Sequence, residues 1–147
     1  MKLNKRIDSE IDKMLDRKWD CIYFLIDIHG TIFKPSYYKK ETFEWYYYAK
    51  ETLQLLSRIK EFKLILWTSS HEDKIKQYLQ IFEDNNIHFD FVNENPEVRT
   101  DAIGDFSKKP YFNIVIDDKC GFYSEDGDWR DLFIHVHDLF AKHKLTD

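Results

Sequence analysis

Three apolar runs in this sequence end in side chains able to do chemistry on a charged, oxygen-rich substrate. Tyr23-Phe24-Leu25-Ile26 ends in Asp27 and turns at once through Ile28-His29-Gly30-Thr31. Leu64-Ile65-Leu66-Trp67 ends in Thr68, and Ile114-Val115-Ile116 ends in the pair Asp117-Asp118. Lys108 and Lys109 stand just ahead of the third run. A carboxylate placed like Asp27 can attack phosphorus and form an aspartyl-phosphate, dividing one hard displacement into two easier ones. Its charge repels a phosphate dianion, so a cation is required. Asp27, Asp117 and Asp118 together suit a hard ion such as Mg²⁺, which prefers oxygen ligands and keeps several waters. Thr68 can donate a hydrogen bond to a phosphoryl oxygen, and Lys108 or Lys109 can neutralise charge developing there. Singly, each has a plainer explanation: a turn aspartate, a helix-capping threonine, a solvated lysine pair. The case rests on their shared position at the ends of runs.

The elements that would position them follow from periodicity. Cys21 to Asp27, Phe62 to Thr68, His88 to Val92 and Phe112 to Asp117 are short apolar runs that predict buried strands. Helical spacing predicts an opening helix through Leu3, Ile7, Ile11, Met14 and Leu15, ending near Lys18, and a second over Lys50 to Lys60. A third carries Ile75, Tyr78, Leu79 and Phe82 on one face, capped by Ser69 or Ser70 and stopped by Asn85-Asn86. A last helix over Asp128 to His143 turns Trp129, Leu132, Phe133, Val136, Leu139 and Phe140 inward. Asn93 to Lys109 is polar and loop-like, and Gly121 to Gly127 is a loop. Strands alternating with helices predict an α/β fold, a three-layer Rossmann-like parallel sheet with helices on both faces. Ligands of such sheets bind beyond the carboxyl ends of the strands, where Asp27, Thr68 and Asp117-Asp118 would converge.

The 147 residues fit one domain, with residues 1–19 as a helical N-terminal extension and 20–147 as the catalytic core. At 43% apolar and 33% charged the composition is that of an ordinary globular protein. A net charge of −5 argues against broad binding to nucleic acid, though not against a local basic groove. No apolar run is long enough to cross a bilayer, and the charged N-terminus is unlike a secretory leader. Cys21 and Cys120 make no pairing framework and read as buried or inert thiols, which suits a reducing cytoplasm, the expected location. His135 and His137, two apart on a helix, do not share a face and so predict no metal site.

The whole stretch from Ile22 to about Phe140 resembles the haloacid dehalogenase-like superfamily of phosphotransferases. That family's first motif is an apolar strand followed by Asp-x-Asp-Gly-Thr, here Asp27-Ile28-His29-Gly30-Thr31. Its second is a strand ending in Thr or Ser, here Thr68; its third is a lysine ahead of the last core strand; its fourth is a strand ending in two acids, here Asp117-Asp118. Phe106-Ser107-Lys108-Lys109 and, more loosely, Gly127-Asp128-Trp129 are similar to segments of its small, capless members, and on that alignment Lys109 takes the third-motif role. The resemblance implies a Mg²⁺-dependent phosphomonoester hydrolase. Asp27 would be its nucleophile, with metal held by Asp27, Asp117, Asp118 and the backbone carbonyl of His29. Receiver domains also combine an acid pair, an aspartate, a threonine and a lysine, but there the acid pair comes first in the chain; here it comes last.

His29 departs from the family pattern, whose phosphatases carry there a second aspartate that protonates the leaving group and then activates water. Histidine, with an unperturbed pKa of about 6.5, can do that work. The other reading is a catalytically weak or inactive relative that binds a phosphorylated ligand or partner. Insertion points for a cap hold only Phe33 to about Tyr48 and Asn93 to Lys108, so the site is expected to be open to a phosphorylated small molecule or a nucleic-acid end. Aromatic residues Tyr37, Tyr38, Phe43, Trp45, Tyr46, Tyr47 and Tyr48 lie beside that mouth, able either to stack a base or to pack on the sheet. Lys34, Lys39 and Lys40 could meet phosphates or be solvated. The first helix has two roles open to it, packing on the core or forming a homodimer.

Overall fold

The computed structural model describes residues 2–35, 43–98, 104–106 and 109–147. Tyr37, Tyr38, Lys39, Lys40, Ser107 and Lys108 lie outside the described residues. The strands are β1 (Ile22–Asp27), β2 (Phe62–Trp67), β3 (Phe91–Val92) and β4 (Ile114–Ile116); the helices are α1 (Lys2–Arg17), α2 (Ala49–Arg58), α3 (Glu72–Asp84) and α4 (Asp128–Ala141). All strand pairs are parallel, in the order β3-β2-β1-β4. In β1 and β2 three consecutive residues are buried, Phe24-Leu25-Ile26 and Leu64-Ile65-Leu66. Neighbours on a strand point to opposite faces, so both faces of the sheet are covered there, as the unbroken apolar runs predict.

The outer strands are shorter than their apolar runs, for one physical reason. The Asp90 side chain accepts from Leu64 N–H (2.9 Å), where a backbone carbonyl would otherwise serve, and β3 is reduced to Phe91–Val92. The Asn113 side chain likewise accepts from Tyr23 N–H (2.8 Å), and β4 begins only at Ile114. Each strand is entered by a side chain standing in for backbone, which a hydropathy pattern does not reveal.

Helix α3 is not capped by Ser69 or Ser70. His71 is its N-cap and makes no side-chain cap bond. The Ser70 hydroxyl, the group that could have capped, instead accepts from Thr68 Oγ1 (2.9 Å), and the Ser70 N–H donates back to that same oxygen (3.1 Å). The helix stops where expected, with Asn85 as C-cap and Asn86 left-handed at φ 59°. Helix α4 buries Trp129, Leu132, Val136 and Leu139. Helix α1 packs on the core through Ile7, Ile11 and Met14, and His135 on α4 bonds Asp8 at 2.7 Å. Of the two roles open to α1, packing is therefore realised. Among the described residues no helix is long and apolar enough to cross a membrane.

Candidate metal and phosphate site

The strand order sets the site. The chain runs from β1 outward through β2 to β3, then returns to the other side of β1 as β4, so the direction of winding reverses between β1 and β4. Ligands of such sheets bind in the crevice beyond the exit ends of the strands at that reversal, the switch point. The register pairs Ile26 with Ile116, which puts Asp27 and Asp117, the next residue of each strand, side by side at that crevice. Asp118 opens a short 3₁₀ turn, Asp118–Cys120, capped by the Asp117 side chain accepting from Lys119 N–H (2.9 Å).

Carboxylate oxygens of Asp27, Asp117 and Asp118 lie within 4.8 Å of one another, the one such group of metal-competent residues among the described residues. The three side chains are half-buried, and no described lysine or arginine forms an ion pair with any of them. Burial pushes the Asp27 carboxyl up to about 6 against a Thr31 hydrogen bond that lowers it, and the charges of Asp117 and Asp118 push the same way as burial. Three hard oxygens with no ion-pair partner among the described lysines and arginines fit a hard divalent cation in donor type and number.

Thr31 organises this cluster, a role the sequence reading did not give it. Fully buried, its hydroxyl lies 2.9 Å from Asp27 Oδ2 and 3.3 Å from Asp118 Oδ1, and accepts from Asp118 N–H (3.0 Å). Its carbonyl accepts from Ser124 Oγ (2.6 Å) and Trp129 Nε1 (2.8 Å). One residue thus ties the exit of β1 to the acid pair after β4 and to the start of α4. Its position in the Gly-Thr turn after Asp27 was the available signal.

Gly30 has φ 78°, and a Cβ there would stand 2.8 Å from Asp118 Oδ2. Gly30→Ala is expected to cost about 1–2 kcal/mol of stability through left-handed backbone strain. It should also displace the Asp118 carboxylate and weaken Mg²⁺ binding about tenfold, read by calorimetric titration beside a denaturant melt. Unchanged Mg²⁺ affinity would show that Asp118 is not a ligand.

Thr68 lies at the neighbouring strand exit, its N–H donating to Asn93 Oδ1 (2.8 Å) and its hydroxyl to Ser70. His29 is exposed; its Nε2 lies 3.4 Å from Ser70 Oγ and 3.2 Å from the hydroxyl of buried Tyr78. Asn93, Ser70 and Tyr78 are further residues that sequence reasoning missed; each is recruited by contacts across the fold. Lys109 is the exception to the convergence. It precedes β4, whereas the acids follow it, and in an all-parallel sheet those are opposite ends. Tyr111, two residues on, packs edge-to-face on Tyr23 near the entry of β1, and Lys109 Nζ stands 5.8 Å from the Phe112 ring. Its strand therefore does not carry Lys109 to the exit end where the acids lie. Cys120 is exposed rather than buried; slight desolvation and the charges of Asp117, Asp118 and Asp27 push its thiol up, away from the thiolate form.

Of the aromatic segment, Phe43, Trp45 and Tyr48 pack against the core and Tyr46 is buried, while Tyr47 is exposed. The packing role is realised for most of its described residues. Lys34 pairs with Glu44 at 3.0 Å.

Fold and site together define a parallel α/β protein with a carboxylate cluster at its switch point. No protein-family model matches the chain, and no curated protein matches it. Among solved structures it is similar to a conserved protein from Bacteroides thetaiotaomicron, with a TM-score of 0.60 and 22% identity over 80% of this chain and 91% of that one. At that identity the likeness shows a shared α/β fold.

Proposed function

We propose that the protein is a Mg²⁺-dependent phosphomonoester hydrolase, haloacid dehalogenase-like and capless, built as a three-layer Rossmann-like domain. The observation that carries this reading is the trio Asp27, Asp117 and Asp118 at the switch point, with Thr31 bonded to two of them. A bound Mg²⁺ would be held by those carboxylates and the His29 carbonyl, and would screen their charge from that of the phosphate.

Each residue then has a task. An Asp27 oxygen attacks phosphorus, the bond from phosphorus to the leaving oxygen breaks, and an aspartyl-phosphate forms. His29 gives a proton to the departing oxygen. It next takes a proton from water as that water attacks phosphorus, the Asp27–phosphorus bond breaks, and carboxylate and inorganic phosphate are released. Thr68, at the adjacent strand exit, would turn its hydroxyl from Ser70 to donate to a phosphoryl oxygen; the hydroxyls of Ser70 and Tyr78 fix the His29 ring. The second reading, a binding module without turnover, is favoured by one observation. Those hydroxyls hold His29 by the nitrogen Nε2, as they would an anchoring side chain.

The test is phosphate release from p-nitrophenyl phosphate and a panel of phosphomonoesters in Mg²⁺. Turnover lost on chelation and restored by Mg²⁺ is the expected result. Absence of turnover across the panel, with Mg²⁺-dependent ligand binding retained, would select the binding module.

A further inference from the structure

We infer that the groove leading away from Asp118 takes a nucleoside, which makes the substrate a nucleoside monophosphate; this rests on the phosphate-site reading above. The groove has two adjoining stretches. The inner one, about 270 Å³, is bordered by Gly30, Asp118 and Tyr123; the outer, about 470 Å³, by Lys34 and Tyr47. Pro35, Tyr46, Ser124 and Glu125 line both, so the two form one channel that begins beside Asp118, one member of the acid cluster. The outer stretch alone falls within the size range of small-ligand clefts, about 300–1,000 Å³.

Its lining selects the occupant. Of the four large hydrophobic side chains exposed among the described residues, two border this groove: Tyr123 on the inner stretch, 60% exposed, and Tyr47 on the outer, 66% exposed. Tyr47 is propped edge-on by Tyr48 at 4.8 Å, which holds its ring for stacking. An exposed, braced aromatic ring is a platform for a flat apolar surface such as a base. Glu125, running along both stretches, can accept hydrogen bonds from ribose hydroxyls. The rim also argues against a longer polyanion. Glu125 borders both stretches, and a strand continuing from the ribose would bring its next phosphate against that carboxylate. A phosphate at the acids, ribose along Glu125 and base on Tyr47 matches the order in which the groove presents these groups.

The test compares kcat/KM, in Mg²⁺, for adenosine 5′-monophosphate and for β-glycerophosphate, whose leaving group is too short to reach Tyr47. The nucleotide is expected to be preferred at least tenfold. Tyr47→Ala should lower that preference about 5- to 150-fold, the range spanned by base–aromatic stacking. Tyr47→Phe, which keeps the ring, should retain it. A preference unmoved by Tyr47→Ala overturns the groove assignment while leaving a phosphatase in place. So does a tenfold preference for a phosphotyrosine peptide or a 5′-phosphorylated oligonucleotide over the mononucleotide. If no phosphate ester turns over, the hydrolase reading fails, and equilibrium binding of adenosine 5′-monophosphate in Mg²⁺ becomes the readout. Binding weakened by Tyr47→Ala and kept by Tyr47→Phe upholds the groove; absence of saturable binding overturns it.

Discussion

Asp27→Asn is expected to abolish turnover, by at least about 10³-fold or 4 kcal/mol of barrier, while making the metal-free protein more stable. The two effects share a cause. Burial and the neighbouring charges of Asp117 and Asp118 raise the Asp27 carboxyl from 3.8 to about 6 in the folded chain. Between those values the folded state binds the proton more tightly than the unfolded state. Metal-free stability therefore falls as pH rises from about 4 to 6, and the deficit persists above. The shift would be about 3 kcal/mol at face value. Asp27 is only half-buried and water screens it, so about 1 kcal/mol is the expected gain for the asparagine variant at pH 7, vanishing below pH 4. For a chain of this size that is a rise of about 2–4 °C in melting temperature. Mg²⁺ should invert the order. At a hundredfold excess over its dissociation constant it adds about 2.7 kcal/mol to wild type and less to the variant, which has lost a ligand. Melts at pH 4 and 7, with and without Mg²⁺, check every part. A variant less stable than wild type in metal-free buffer at pH 7 would show that the three carboxylates do not repel one another.

The acid cluster was legible because its information is local. An apolar run fixes a strand, parallel strands share one exit end, and whatever follows the run arrives there, as Asp27 and Asp117 do. The same rule puts Lys109, which comes before its strand, at the entry end. Thr31 was visible as a turn residue, but its role as a clasp depends on Asp118, 87 positions away, and on Trp129, 98 away. No periodicity encodes such pairs. The entries to the outer strands failed for a related reason. Asp90 and Asn113 replace backbone partners with side-chain oxygens, a substitution set by neighbouring strands rather than by the residue's own segment. The Ser70 cap was a competition between two hydrogen-bonding offers. The hydroxyl of Thr68, two residues away, was the nearer partner.

His29→Ala should separate chemistry from binding. If His29 protonates the leaving oxygen, its loss costs most where that oxygen departs poorly as an anion. β-Glycerophosphate should slow about 10²- to 10⁴-fold, the usual yield of a positioned acid or base. p-Nitrophenyl phosphate, whose phenolate leaves unaided, should slow less in forming the aspartyl-phosphate. Its hydrolysis would then be limited by breakdown of the phosphoenzyme, which still needs a base, so a burst of nitrophenol ahead of steady release is expected. The exposed ring meets the core at Tyr78, so its removal should cost little stability, and the far-ultraviolet spectrum and Mg²⁺ affinity should match wild type. An equal loss on both esters with no burst would mean that His29 acts on geometry alone, through the hydroxyls of Tyr78 and Ser70. His29→Asp then discriminates between the two functional readings. In a working hydrolase it replaces one acid/base by another held by different partners, and turnover should fall or stay level. In a binding module the new carboxylate would supply the missing proton transfer, and turnover should rise.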